Sequence, residues 1–418
     1  MGTDAGAPTA MSPSDLEFHT ACARMMAFSE PEVVADPYST IYSVFHDAGP
    51  VRFLDFAGAW VISGYEEASA ILRDARAGSG VHALKIAPVP VEYRVTYAEA
   101  FDIITASMSF MDPPDHTRVR RAVQAAFTPR AIEEMRPFVR RTINEQLDGV
   151  LGGTFDFYQE VALPYPAAVI CDMLGVPPED RSKFMQWNEP ITAFLGQQAA
   201  TDEVLAALRD EMVDCEQYFR GLVDVSRGTP GLFGRLIAQH DDDRLSWPEL
   251  VANALFLVTA GHETTASLMS TGLYGLLRNP GQFSLLRQNR ELLPNAVEEF
   301  LRYDAPLHLD FRSMLAPMEF GDALLDEGHM VIFSLAAANH DPRVHQRADA
   351  LDVTRANPQH LAFAQGNHFC LGAALARLEA QEGFAAVLDR MPDVALSETP
   401  AYRPNPMFRS VESLMVTA

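Results

Sequence analysis

The sequence predicts a mainly α-helical protein with small β-sheets, organised as one large domain over residues 1–418 with an irregular tail over about 1–20. Three observations predict it. Apolar residues recur at helical spacing through most of the middle of the chain. Short runs of β-type residues lie toward both ends. No Ser/Gly-rich linker, low-complexity tract or internal repeat offers a boundary, although a chain of this length could hold about two or three domains.

In chain order, β-type runs at 51–53 and 59–63 are separated by the turn-forming Gly58. The stretch 78–110 has Gly78, Gly80, Pro88 and Pro90 with no sustained period, so it is expected to be a long irregular segment that serves function or motion. Helical periodicity then runs through 116–127, 130–151, 202–226, 247–278, 282–303 and 372–391, with a further strand at 330–334 after Glu327-Gly328. Ser246-x-x-Glu249 has capping-box spacing, so it should start the 247–278 helix. At about 1.5 Å per residue such a helix crosses an entire domain.

With 48% hydrophobic and 21% charged residues the chain can bury a large core and stay soluble. A net charge of -24 argues against general attraction to nucleic acid or anionic lipid. Neither a cationic leader with an apolar core nor a spanning apolar run is present, so no membrane association and a cytoplasmic location are expected, with the protein a monomer. Cys22, Cys171, Cys215 and Cys370 lack CxxC spacing, which points away from a disulfide framework or a zinc site.

Cys370 differs from the other three. It stands in the glycine-flanked loop "FAQGNHFCLG" just before a helical stretch, where orphan N–H groups and the helix dipole should favour a thiolate and lower its pKa. Two roles fit: a nucleophile with His368 as its base, or a ligand to haem iron, for which glycines let backbone approach a flat macrocycle. Elsewhere, Gly261 and the polar run His262-Glu263-Thr264-Thr265 interrupt the apolar long helix. Glycine there costs about 1 kcal/mol relative to alanine. Glu299-x-x-Arg302 has helical i,i+3 spacing, and His116 and Arg120 at i,i+4 share one face of a helix that follows two prolines.

Together these motifs, in this order, resemble the cytochrome P450 family of haem-thiolate monooxygenases. Phe363-x-x-Gly366-x-His368-x-Cys370-Leu371-Gly372 is similar to its haem-ligand signature, and the likeness extends over almost the whole chain. The resemblance implies haem b (iron protoporphyrin IX) with the Cys370 thiolate as metal ligand, and O2 as co-substrate. It makes Ala260 and Gly261 the lining of an oxygen pocket in a locally widened helix, and Glu263 and Thr264 the acid and alcohol that relay protons. Glu299, Arg302 and Arg355 become a structural triad that buttresses the ligand loop. His116, Arg120, Arg312 and His368 are assigned to the haem propionates.

The implied activity is hydroxylation or epoxidation of a hydrophobic small molecule, with electrons from NAD(P)H through a separate ferredoxin and ferredoxin reductase, since no G-x-G-x-x-G opens a helix. An Arg-rich composition whose only lysines are Lys85 and Lys183 hints at a bacterial secondary-metabolite step on a macrolide or other polyketide. A steroid, terpene or fatty acid fits the same residues, and a haem-thiolate sensor or docking scaffold is a further alternative. Seven arginines between 118 and 141 face only Glu133 and Glu134 in sequence, either a docking patch for an acidic redox partner or a solvated basic face. Substrate contacts are expected from Leu257, Ala260, Leu307, His308, Leu309, Met407 and Phe408, with His308 orienting a polar substrate group or bonded to backbone. Two departures stand out. Ala364 replaces the usual loop glycine and would be strained at positive φ, and "DPRVHQRADAL" lacks the family's aromatics.

Overall fold

Gly58, with φ +58°, closes a hairpin of β1 (Val51–Leu54) and β2 (Ala59–Ile62) where the sequence predicts two strands. The computed structural model describes residues 12–79, 91–125, 127–183, 186, 187, 191, 201–229 and 231–418. β3 (Ala77–Gly78), β4 (Thr154–Asp156), β5 (Leu309–Met314), β6 (Met318–Phe320), β7 (Ala323–Leu325), β8 (Met330–Ser334), β9 (Ala395–Leu396) and β10 (Met415–Thr417) complete the strands. The main sheet has the order β1-β2-β8-β5-β3, in which β8 runs parallel to β2 with Trp60 opposite Val331 and every other pair is antiparallel. Smaller sheets are β4-β10-β9 and β6-β7.

The helix Trp247–Arg278 organises the rest. Ser246 and Glu249 form the capping box, and the apolar residues that follow surround the axis instead of keeping to one stripe. A helix apolar all round belongs in a core. It packs against Pro164–Leu174, Leu293–Tyr303 and Ala373–Arg390. Gly272 sets one of these approaches: a Cβ there would stand 2.6 Å from the ring of Phe384. Two further apolar clusters lie between the N-terminal helices and the main sheet and on the sheet's other side. No helix among the described residues is long and apolar enough to cross a membrane.

Several expected boundaries change. Periodicity over 130–151 becomes Pro129–Glu134 and Arg136–Asp148, with Pro137 in the first turn of the second helix, where its missing N–H costs nothing. That over 282–303 breaks at a 3-10 turn, Arg290–Leu292, before Pro294 starts Leu293–Tyr303. The expected tail over about 1–20 is helical from Pro13 to Ala27, because the Ser12 hydroxyl caps it on the Asp15 amide; residues 1–11 lie outside the described residues. Within 78–110, helices form at Val91–Thr96 and Ala98–Thr105, while 80–90 lies outside the described residues. The buried helix Pro164–Leu174 has no single apolar stripe, so periodicity does not reveal it.

Candidate functional site

A cavity of about 360 Å³ lies where the long helix faces the cysteine loop. Cys370 and Phe363 line it from the loop, and Leu257, Ala260, Gly261, Glu263 and Thr264 from the helix, with Leu307, Met407 and Phe408 closing another side. The Leu307–Phe408 bridge and the hydrogen bond from the His308 amide to the Met407 carbonyl (2.8 Å) join the segment after Arg302 to the C-terminal turn.

The loop is shaped by its backbone. The Cys370 amide donates to Phe363 O (2.9 Å) and that of Phe369 to Gly366 O (3.1 Å). Gly366 itself has φ +72°, and a Cβ there would come within 2.3 Å of the Leu72 carbonyl oxygen, so only glycine fits. It shapes the loop from behind and does not line the cavity. Ala364 does adopt positive φ, at 51°. Gly372 is the N-cap of the helix Ala373–Arg390. Contrary to the expected low pKa, burial raises the Cys370 thiol above its ordinary range; hydrogen bonding from Gly372, the Arg120 and Arg377 charges and the Ala373 amide pull it down by less. Desolvation of an anion outweighs two amides and two partly distant guanidinium charges.

At the cavity's edge four cationic or imidazole side chains converge. The rings of His116 and His368 lie 4.1 Å apart, Arg120 donates to Phe369 O (2.6 Å), and Arg312 is held by Asp310 (2.7 Å). Burial, then the charges of Arg312, His116 and Arg120, drives His368 down to about 2, and burial with Arg120 lowers His116 as well. His116 is only 2% exposed, yet neither ring nitrogen has a hydrogen-bond partner. Ser79, buried beside them because Gly78 pairs with Ser313, also has an unpartnered hydroxyl. Buried polar atoms normally find partners. A donor set of this kind around an apolar cavity with one thiol fits a haem whose acidic groups would meet His116, Arg120, Arg312, His368 and Ser79. Ser79 gives no sequence signal, since only strand pairing brings it there.

On the long helix, Thr264 Oγ1 donates to Ala260 O (2.7 Å), and Glu263 lies 3.5 Å from the Arg403 guanidinium. The helix remains α-helical through this segment, where the resemblance implies a local widening; the Thr264 hydroxyl takes up the Ala260 carbonyl instead. Glu379, one of the cavity's walls, is 1% exposed, and burial holds its carboxyl well above the usual range against a hydrogen bond with Thr265. A lone acid in an amphipathic stretch reads as surface, so the sequence misses it.

The structure brings the expected triad together. Glu299 receives Arg302 through Nε and Nη2 (2.7 and 2.9 Å) and Arg355 through Nε (3.0 Å). Both guanidiniums also donate to the Ala350 carbonyl, and Arg302 to Asn339 and Ala348. Asn339 Oδ1 accepts the Leu361 amide (2.6 Å), which carries the brace to the start of the cysteine loop. A second brace was not anticipated: Glu298 binds Arg377 through two bonds of 2.7 Å and His360 at 3.0 Å, with Arg377 4.6 Å over the Phe363 ring.

Two substrate candidates move out. His308 is buried between Tyr42 OH (2.8 Å to Nδ1) and Tyr38 OH (3.2 Å to Nε2), so it reaches neither the cavity nor backbone through its ring. Leu309, one residue along β5, points into the N-terminal cluster. Leu307, just before β5, lines the cavity, and within the strand Asp310, Phe311 and Arg312 line it as well. The basic stretch is also less free than its sequence implies: Arg118 pairs with Glu249 and Asp115, Arg136 with Glu133 and Glu382, Arg140 with Glu382, Arg130 with Glu134 and Arg141 with Glu145.

Comparison with known proteins gives a match to the family model described as Cytochrome P450 over residues 230–392. The chain is 36% identical to cytochrome P450 CYP107DY1 of Priestia megaterium, covering 93% of this chain and 98% of that one. It is 36% identical to 6-deoxyerythronolide B hydroxylase of Saccharopolyspora erythraea, covering 91% and 96%. The solved structure of epothilone D-bound cytochrome P450epoK superposes with a TM-score of 0.84 at 30% identity, covering 94% of this chain and 98% of that one.

Proposed function

We propose, from the premise that this chain belongs to the cytochrome P450 family of monooxygenases, that it hydroxylates or epoxidises a hydrophobic secondary metabolite of the macrolide or other polyketide class. The observation that carries the reading is the joint lining of one apolar cavity by Cys370, by the acid and alcohol Glu263 and Thr264, and by the partnerless imidazole of His116. Support for the substrate class comes from the relative named for hydroxylating 6-deoxyerythronolide B and the solved neighbour that holds epothilone D.

Bound haem supplies the activation of O2 and its insertion into a C–H or C=C bond. In this reading the chain's residues do the rest. Cys370 Sγ ligates the iron, and His116, Arg120, Arg312, His368 and Ser79 hold the propionates. The Glu263 carboxylate takes a proton from the solvent side, where Arg403 is part-exposed, and Thr264 Oγ1 passes it toward the cavity. Phe363, Gly366 and Gly372 shape the ligand loop, and Ala260 and Gly261 leave space above it. The triad Glu299, Arg302 and Arg355 keeps that loop in place. Leu257, Leu307, Met407 and Phe408 exclude water and position an apolar substrate. Electrons reach the site from NAD(P)H through a ferredoxin and its reductase, and residues 1–418 act as one cytoplasmic, monomeric domain.

The test is the absorption spectrum of the dithionite-reduced protein under carbon monoxide, followed by titration of macrolide, steroid, terpene and fatty-acid panels into the ferric form. A strongly red-shifted Soret band that Cys370→Ser abolishes, with a high-spin shift for macrolides, is expected. A spin shift confined to another panel replaces the substrate class. Survival of the band in Cys370→Ser removes the ligand assignment, and bound haem without a red-shifted band leaves a sensor or scaffold.

A further inference from the structure

Four hydroxyls of the long helix have a partner in the protein. Thr264 and Ser270 donate to the carbonyls four residues back, Thr271 reaches the Asp304 carbonyl, and Thr265 engages Glu379. Thr259 does none of this. It is 7% exposed, lines the cavity, and its Oγ1 is buried with no partner.

A helical threonine has its own i-4 carbonyl available to satisfy the hydroxyl. Thr259 forgoes that bond while Thr264 makes it, so its buried hydroxyl keeps its hydrogen-bonding capacity for a group held in the cavity. Around it, Phe110, Phe256, Leu257 and Leu307 give the cavity an apolar wall, and the aromatic pair Phe110–Phe256 stands edge to face at 6.3 Å. The cationic and imidazole side chains among the described lining residues, His116, Arg120, Arg312 and His368, cluster at the edge already assigned to the propionates. A substrate carboxylate beside Thr259 would meet one neutral hydroxyl in apolar surroundings, which does not repay the desolvation of a charge. A neutral ketone, ester or alcohol oxygen would find a partner there.

We infer that Thr259 is a specificity-determining residue whose hydroxyl hydrogen-bonds an uncharged oxygen of the substrate, so that the site takes an apolar molecule bearing a carbonyl or hydroxyl in preference to its deoxy or carboxylate counterpart. The inference rests on the monooxygenase reading of the same cavity and adds the chemistry of the group it recognises.

The experiment titrates cyclododecanone, cyclododecane and lauric acid into the haem-loaded ferric protein and its Thr259→Val variant, reading the spin-state shift, with the carbon monoxide spectrum and melting temperature recorded on the same samples. Valine keeps the shape and replaces the hydroxyl with a methyl group. Cyclododecanone is expected to bind wild type about threefold to tenfold more tightly than cyclododecane, and Thr259→Val to erase that difference. The variant should melt at the same temperature or higher, since it loses an unsatisfied group. Equal affinities in wild type, a difference that survives Thr259→Val, tighter binding of lauric acid, no binding of cyclododecanone, or a lowered melting temperature each overturns the inference. An absent red-shifted carbon monoxide band marks failure of the haem-thiolate reading instead.

Discussion

Burial in apolar surroundings favours the neutral form of a carboxyl group, and Glu379 is in that position beside Thr265. Its folded pKa lies above the ordinary 4.5, so the folded state holds a proton that the unfolded state releases. Stability from this group is therefore full below the unfolded value and falls as pH rises from there toward the folded one, by up to about 1.4 kcal/mol per pH unit. Glu379→Gln, which mimics the neutral acid, should flatten that decline in melting curves taken from acid to neutral pH. Parallel curves for the two proteins would show that Glu379 is ionised. Ala364 is the other single-residue feature. Its φ of 51° costs an L-residue about 1 kcal/mol that glycine would not spend, less what glycine adds to the freedom of the unfolded chain. Ala364→Gly should gain up to about 1 kcal/mol in denaturant unfolding and slow haem loss. A loss of stability would mean that the alanine is unstrained.

Among elements, the helices Leu293–Tyr303 and Ala373–Arg390 grip the cysteine loop between them through Glu298, Arg377 and His360. Burial alone would raise the Glu298 carboxyl, but the hydrogen bonds from Arg377 and His360 reverse this and hold it at about 2. A depressed folded value contributes stability that is complete above the ordinary 4.5 and is lost as pH falls toward about 2. That shift is worth roughly 2 to 3 kcal/mol after discounting for partial exposure of the carboxyl. Glu298→Gln should therefore be less stable than wild type at neutral pH, with the gap closing on acidification, as measured by denaturant unfolding across pH 5 to 3. A gap that does not depend on pH would assign the effect to packing. The first of these helices also carries the Glu299–Arg302 pair, whose i,i+3 spacing in sequence could equally decorate a surface.

For the molecule as a whole, the arginine-rich stretch 118–141 has a different meaning in three dimensions. Six carboxylates, four of them from outside the two counted within that stretch, pair with its guanidiniums. The local excess of positive charge is largely neutralised, and a chain of net charge -24 has little left with which to steer an acidic partner. Beside Cys370, the protein instead offers Phe369, which is 40% exposed. Reduction by a ferredoxin should accordingly depend weakly on salt, with the rate changing less than about threefold as ionic strength rises from about 0.05 to 0.5 M. A steep fall would restore electrostatic docking by these arginines. Partner pairing of this kind also separates what can be read locally from what cannot.

The sequence by itself determined the mainly helical class, the long helix with its cap, the order of motifs and the place of the thiol, because capping, periodicity and loop glycines act within a few residues of each other. It also pointed to Glu299, Arg302 and Arg355, to His116 and Arg120, and to the part of the cavity wall around Cys370, Glu263 and Thr264, since each sits in a motif of the family. Only the tertiary structure decided that His308 is enclosed by Tyr38 and Tyr42, that Ser79 joins Arg312 across paired strands, that burial raises the Glu379 carboxyl well above the usual range and that Thr259 is left without a partner. Burial and the identity of a distant partner set those properties. Neither is encoded by neighbours along the chain: Arg118 finds Glu249, and Tyr42 finds His308, only after the fold has closed.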